Sequence, residues 1–164
     1  MEIKKICVIG AGTMGGGIAQ AAGQSGYEVV MEDVSEEYVR AGFARIKERL
    51  EKRVVEGKLE NLEKDRIISN IKTTANLEDC KDADLIIEAV VEKEDVKKQI
   101  FKELDTTCAK GTIFTTNTSS ISITRLAQVT ERKEKFRRYA FHEPGVRDEA
   151  RRSGSRSSHI AGNR

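Results

Sequence analysis

The segment KKICVIGAGTMGGGIAQAAGQSG, residues Lys4–Gly26, decides the fold. It starts with a short apolar run that ends in glycine, and small and apolar residues then recur at helical spacing from Thr13 onward. This order predicts a strand, a tight turn and a helix. At the turn, Gly10–Gly15 (GAGTMG) fits the pattern GxGxxG.

Each glycine of this pattern has its own physical use. Gly10 permits the tight turn, Gly12 lets the backbone approach a pyrophosphate, and Gly15 allows the helix to pack closely on the strand. Amide groups at the start of the helix would face the phosphates. We therefore predict a dinucleotide-binding loop that consists of Gly10, Ala11, Gly12, Thr13, Met14 and Gly15.

A second apolar strand, predicted over residues 28–31, is followed by the acids Glu32 and Asp33. A carboxylate at this place can accept hydrogen bonds from the adenosine ribose hydroxyls and would repel a 2′-phosphate. Alternation along a strand puts the two acids on opposite faces, and we assign the ribose to Asp33. The predicted cofactor is accordingly NAD rather than NADP.

The remaining chain continues the alternation of helices and strands. We predict helices over residues 36–56, 60–70, 95–110 and 123–129, and strands over residues 71–74, 84–91 and 112–116. In the second of these helices, Leu62, Ile67 and Ile68 share one side. The pattern is typical of an α/β fold with a doubly wound parallel sheet covered by helices on both faces, the Rossmann type, incomplete here at its C-terminal end.

Composition narrows the class of protein further. Of the 164 residues, 34% are charged, and no apolar run approaches the ~18 residues of a membrane span. Met1 leads straight into the first strand pattern, so we expect no leader, no membrane partner and a cytoplasmic location. Residues 1–136 carry 22 basic and 24 acidic residues, which disfavours a nucleic-acid partner. The three cysteines form no CxxC pair and have no nearby histidine, so we expect reduced thiols and no metal site.

Three ordered motifs resemble one family. They are GAGTMGGGIAQ, EAVVEKEDVKKQIF and FTTNTSSISIT, and together they look like the NAD-binding domain of 3-hydroxyacyl-CoA dehydrogenases, including the 3-hydroxybutyryl-CoA type, from about Lys4 to Phe136. NTSS after the fifth strand is absent from most other dehydrogenases that share the glycine loop. The resemblance implies NAD as cofactor, acyl-CoA as substrate and oxidation of a 3-hydroxyl group to a 3-oxo group.

The resemblance also assigns residues. It maps Ser119 onto a catalytic serine that hydrogen-bonds the reacting oxygen, and it places Glu92, Lys97 and Asn117 at the cofactor. The residues alone leave two alternatives open. Asn117, Thr118 and Ser119 could simply cap the next helix, and Glu92 with Lys97 could be a solvated charge pair.

The family pattern is lost near the C-terminus. The family's catalytic histidine lies 21 residues after the serine and its glutamate partner 12 further on, where this chain has Ala140 and Arg152. His142 is two residues out of register, about 7 Å along a strand, and is not assigned. Codons for residues 138–145 and 148–153 can be chosen so that reading one base later gives GMHFMNP and MKLVE. This decoding predicts a one-base frameshift near codon 137.

The two parts of the chain are therefore expected to differ in their relation to the family. Residues 1–136 form most of a NAD-binding domain, and residues 137–164, with seven arginines and three acids, form a disordered tail foreign to the family. We expect a truncated 3-hydroxyacyl-CoA dehydrogenase that lacks the family dimer interface and has little or no turnover. Two alternatives stay open: a non-catalytic NAD-binding module, and another Rossmann oxidoreductase of the hydroxyisobutyrate or gulonate dehydrogenase kind.

Overall fold

A parallel sheet of six strands lies at the centre of the computed structural model, which describes residues 1–139. The strands are β1 (Lys5–Ile9), β2 (Glu28–Glu32), β3 (Ile71–Thr74), β4 (Leu85–Glu88), β5 (Ile113–Thr116) and β6 (Phe136–Arg138). The helices are α1 (Thr13–Gln24), α2 (Glu36–Val55), α3 (Asn61–Ser69), α4 (Glu94–Thr107) and α5 (Ile123–Ala127), with short 3-10 helices at Leu77–Cys80 and Lys133–Lys135. The predicted α/β fold class is confirmed.

The strand order is β3-β2-β1-β4-β5-β6: β2 and β3 lie on one side of β1, and the chain then crosses over to add β4, β5 and β6 on the other side. Ile9, the last residue of β1, is in register with Glu32 of β2 and also with Glu88 of β4. These three strands therefore end at the same level. In a doubly wound sheet the crevice beyond the carboxyl ends at such a crossover is where ligands bind.

Apolar residues cover both faces of the sheet, as a parallel sheet requires. One core lies on the side of α1, α2 and α3, and includes Val8, Ile18, Val29, Met31 and Ile46. The other lies on the side of α4 and α5, where the ring centroid of Phe101 is 4.6 Å from that of Phe136 and 5.7 Å from that of Phe114. The alternation along each strand divides its side chains between these two cores.

The prediction that Leu62, Ile67 and Ile68 share one apolar side of α3 is only partly correct. Ile67 is fully buried, but Leu62 is 80% exposed. Helix α3 meets its neighbours near its C-terminal end, where the Ile67 carbonyl lies against Gly23. Leu62 belongs to the first turn, which lies outside this contact, so its apolar side chain stays in solvent.

The expectation that all cysteines are reduced is wrong. Cys7 and Cys80 form a disulfide, with their Cα atoms 5.9 Å apart, whereas Cys108 is free and buried. Burial raises the pKa of the Cys108 thiol to about 11. The two bonded cysteines are 73 residues apart in sequence, and only the sheet order brings the 3-10 helix after β3 next to β1.

Strand β6 pairs in parallel with β5 and continues to Arg138, two residues past the predicted end of the domain at residue 136. The Tyr139 amide extends this pairing by donating to the Thr116 carbonyl at 2.9 Å. The boundary between domain and tail remains a prediction, and the expectations for Ala140, His142, Arg152 and a disordered tail concern residues outside those described. Within residues 1–139, no helix is both long and apolar enough to cross a bilayer.

Candidate functional site

The loop between β1 and α1 requires glycine at two positions for steric reasons. Gly10 has φ +108°, and a Cβ there would lie 2.6 Å from the Ala89 carbonyl oxygen. A Cβ at Gly15 would overlap the carbonyl oxygen of Gly10. Any side chain at either place would therefore push the loop away from β4 or the helix away from the loop.

Gly12 differs from these two glycines because its missing side chain leaves space. A Cβ built on Gly12 would meet no atom within 4 Å. Gly12 is also the N-cap of α1, and the first helical bond runs from the Gly16 amide to the Gly12 carbonyl at 2.8 Å. Amides of the first turn precede that bond and lack helical partners. An open surface with free amides at the positive end of a helix fits a pyrophosphate.

Asp33 is fixed against this loop. Its Oδ2 accepts a hydrogen bond from the Ala11 amide at 2.8 Å, and its Oδ1 accepts one from the Val34 amide at 2.7 Å. Each carboxylate oxygen keeps a further lone pair for another donor. Asp33 can therefore hold the loop and accept ribose hydroxyls at the same time.

Helix α2 also supports the loop, which the sequence analysis did not predict. A Cβ at Gly42 would overlap the Ala11 carbonyl oxygen, and Nη2 of Arg45 donates to the same oxygen at 2.8 Å. Gly42 and Arg45 are three residues apart, so both lie on one face of the helix. A glycine and an arginine at this spacing, shortly after the acid of β2, could have indicated a contact with backbone.

Lys97 is buried against Glu88 and is not part of a solvated pair. Its Nζ lies 2.8 and 2.7 Å from the two carboxylate oxygens of Glu88, and the two side chains are 1% and 0% exposed. The Thr116 hydroxyl and the Val90 amide also donate to that carboxylate, each at 3.1 Å. Burial raises the pKa of Glu88 above its usual value, and the Lys97 ammonium opposes this shift. The alternative of a solvated charge pair is wrong.

Glu92 connects the loop after β4 with the loop after β5. It accepts hydrogen bonds from the hydroxyls of Thr118 and of Ser120, the latter at 3.1 Å, and its Oε2 lies 3.5 Å from the Lys97 Nζ. Burial alone would raise the pKa of Glu92, but the Thr118 hydroxyl and the Lys97 ammonium outweigh it and lower the pKa. Glu92 is thus held as a carboxylate between the two loops.

Ser119 lies exposed just beyond the carboxyl end of β5. Within residues 1–139 its hydroxyl has no hydrogen-bond partner. Two residues earlier, the backbone amide of Asn117 donates to the Glu88 carbonyl at 2.8 Å. Helix α5 begins after Ser122, whose side chain makes no capping bond. The Thr118 hydroxyl accepts a hydrogen bond from the Ile121 amide at 3.0 Å in the turn before this helix. The Ser119 hydroxyl takes no part in that turn and remains available to a ligand.

A cavity of about 470 Å³ adjoins Asp33 on the α4 side of the sheet. Its apolar wall is made by Ile9, Val34, Leu77, Val90, Val96 and Ile100. Val96 is 38% exposed and borders this cavity. Glu32, Asp33, Asp95, Gln99 and Glu103 supply the polar part of the lining.

The crossover at β1, the glycine turn that opens α1 and the acid after β2 define a Rossmann-type NAD-binding domain. The family "3-hydroxyacyl-CoA dehydrogenase, NAD binding domain" matches residues 5–146, and the chain belongs to this family. The predicted resemblance and cofactor are confirmed.

Relatives agree in sequence and in structure. The 3-hydroxybutyryl-CoA dehydrogenase of Bradyrhizobium diazoefficiens is 45% identical over 134 residues, which are 82% of this chain and 46% of that protein. The crystal structure of (S)-3-hydroxybutyryl-CoA dehydrogenase PaaH1 from Ralstonia eutropha has a TM-score of 0.83 at 39% identity, over 87% of this chain and 50% of that one. FadB2 of M. tuberculosis has a TM-score of 0.85 at 38% identity, over 88% and 51%. The chain thus spans about half the length of the curated relatives it matches.

Proposed function

We propose that this chain holds NAD for the oxidation of a 3-hydroxyacyl-CoA to a 3-oxoacyl-CoA. The observation that carries the proposal is the bond from Asp33 to the Ala11 amide, which fixes a ribose acceptor beside the open surface at Gly12. The names of the relatives, 3-hydroxybutyryl-CoA dehydrogenase, support the substrate class.

The loop and the cavity suit the parts of the dinucleotide. The pyrophosphate would lie on Gly12 and the first turn of α1, the ribose hydroxyls at Asp33, and the adenine in the cavity between Val34 and Val90. The nicotinamide would extend towards the loops joined by Glu92. When bound, NAD supplies the acceptor for the hydride that leaves the substrate carbon.

Ser119 is suited to orient the substrate oxygen. Its hydroxyl is exposed at the carboxyl edge of the sheet and can donate a hydrogen bond to an oxygen that gains negative charge. Within residues 1–139 no basic side chain is bonded to it that would activate it as a nucleophile. Lys97 contributes indirectly, because its ammonium group already donates to the Glu88 carboxylate and to the Val90 carbonyl, 3.3 Å away. We assign to it the positioning of the loop after β4.

Removal of the Asp33 carboxylate tests the cofactor site. Asp33→Ala should weaken NADH binding by roughly 10- to 100-fold, since hydrogen bonds to a charged group contribute about 1.5–3 kcal/mol. Titration by NADH fluorescence measures the change. Asp65→Ala, an exposed acid of α3, is the matched control and should bind NADH like the parent chain. An unchanged affinity in Asp33→Ala would refute the ribose role.

The reading frame is tested by activity. With acetoacetyl-CoA and NADH, this chain should oxidise NADH at least ~10²-fold more slowly than its version shifted by one base from codon 137, because the shift restores a histidine base at position 140. Sequencing of codons 130–145 accompanies the assay. Equal turnover in both versions, or an uninterrupted frame without the family sequence in the adjacent frame, would contradict the frameshift.

A further inference from the structure

A row of side chains crosses the carboxyl end of the sheet on the α4 side. Ile9 is in register with Glu32 on one side and with Glu88 on the other. Residues in register across a sheet point to the same face. Ile9 packs in the core that contains Phe101 and Leu104 of α4. Both acids therefore lie buried beneath the same helix, two strands apart.

The two acids differ in their partners. Glu88 is bonded by Lys97, Thr116 and the Val90 amide. Glu32 is 5% exposed, yet within residues 1–139 no hydrogen-bond donor or cation reaches its carboxyl group. Its oxygens are not fully occluded and border the cavities beside it, so they are open to a donor that enters there.

The surroundings of Glu32 decide what that donor can be. Every charged residue that lines the adjoining cavities is acidic: Asp33, Glu78, Asp95 and Glu103. A second anion is therefore excluded, and the occupant must supply an N–H donor to Glu32. The apolar walls of Val34, Val90 and Ile100 suit a flat ring.

The place of the cavity identifies the ring. Asp33 forms part of its wall, so a ribose bound at Asp33 carries its base into this space. We propose that the carboxylate of Glu32 accepts a hydrogen bond from the 6-amino group of the cofactor's adenine and thereby selects adenine over hypoxanthine. The inference rests on the proposed binding of NAD.

The pKa of Glu32 agrees with a carboxyl group that lacks a hydrogen-bond donor. Burial, together with the charges of Asp33 and Glu103, raises the pKa of Glu32 to about 7. Between about pH 4.5 and 7 the folded domain keeps a proton that the unfolded chain loses, so the contribution of Glu32 to stability falls as pH rises through this window. An amino donor favours the charged form, and the preference for adenine should be greater at pH 8 than at pH 6.

The test compares NADH with reduced nicotinamide hypoxanthine dinucleotide, which has a carbonyl oxygen in place of the amine. By fluorescence titration at pH 8, the parent chain should bind NADH at least ~10-fold more tightly. Glu32→Gln should reduce the ratio to about one, because its amide can offer either a donor or an acceptor. Asp65→Asn is the matched control, since it removes an exposed acid of α3 outside this cavity, and it should keep the preference.

The possible results separate the role of Glu32 from the binding of NAD. Equal binding of the two dinucleotides by the parent chain, or a preference that Glu32→Gln retains, overturns the role of Glu32 and leaves NAD binding intact. Binding of neither dinucleotide overturns both. Thermal unfolding of Glu32→Gln against pH is a readout that needs no cofactor: its midpoint should exceed that of the parent at pH 8 and approach it near pH 4.5.

Discussion

Lys97→Met should lower the free energy of unfolding by about 3–5 kcal/mol, the usual cost of breaking a buried ion pair by removing one partner. The reason is the carboxylate that remains. Glu88 is 0% exposed, and without the ammonium it keeps only the Thr116 hydroxyl and the Val90 amide as donors. Urea unfolding followed by circular dichroism measures the loss.

Two further variants separate the buried charge from the helix that carries it. Lys98→Met removes a neighbouring charge of α4 that bonds Glu94 at the surface, and it should cost less than about 1 kcal/mol. The double variant Lys97→Met with Glu88→Leu replaces the pair by apolar side chains and should recover most of the lost stability. The interpretation fails if Lys97→Met costs no more than Lys98→Met.

Gly12→Val should abolish most NADH binding and leave the fold intact. The backbone at Gly12 has φ −74° and ψ −165°, which a valine can adopt, and a Cβ there meets nothing within 4 Å. The added side chain would fill the space that a pyrophosphate needs. We expect the NADH affinity to fall at least ~100-fold, about 2.7 kcal/mol, with the stability changed by less than ~0.5 kcal/mol.

Other glycines provide the controls for this variant. Gly111→Val alters an exposed glycine near Met1 and should change neither stability nor binding. Gly15→Val should instead unfold the loop or the helix, because even a Cβ overlaps the Gly10 carbonyl oxygen. NADH binding by Gly12→Val at the affinity of the parent chain would show that the pyrophosphate lies elsewhere.

Local patterns were sufficient to predict most of the fold. The glycine loop, the acid Asp33 and the alternation of strands and helices each depend on residues close together in sequence. Helix α2 begins at Glu36 as predicted, and ends at Val55, one residue before the predicted end, where Gly57 at φ +72° follows. Such signals operate over a few residues and do not require the tertiary structure.

Long-range pairing explains what the sequence did not predict. A lysine near the start of a charged helix gives no local sign that it will be 1% exposed, since Glu88 reaches it only through the packing of α4 on the sheet. Glu32 and Asp33 both border the cavity on the α4 side. The face of the sheet that carries Glu32 is interior, because helices cover both faces of a parallel sheet, and this acid is therefore buried.

Asp33 limits how the cofactor preference of this domain can change. An engineer who wants the domain to accept NADP would first remove this acid, as its charge opposes a 2′-phosphate. The same carboxylate, however, is the acceptor for the Ala11 amide, so its removal also loosens the phosphate loop. A successful conversion would need a neutral acceptor at position 33, such as Asn, together with a cation elsewhere, so the path from one cofactor to the other requires at least two coordinated substitutions.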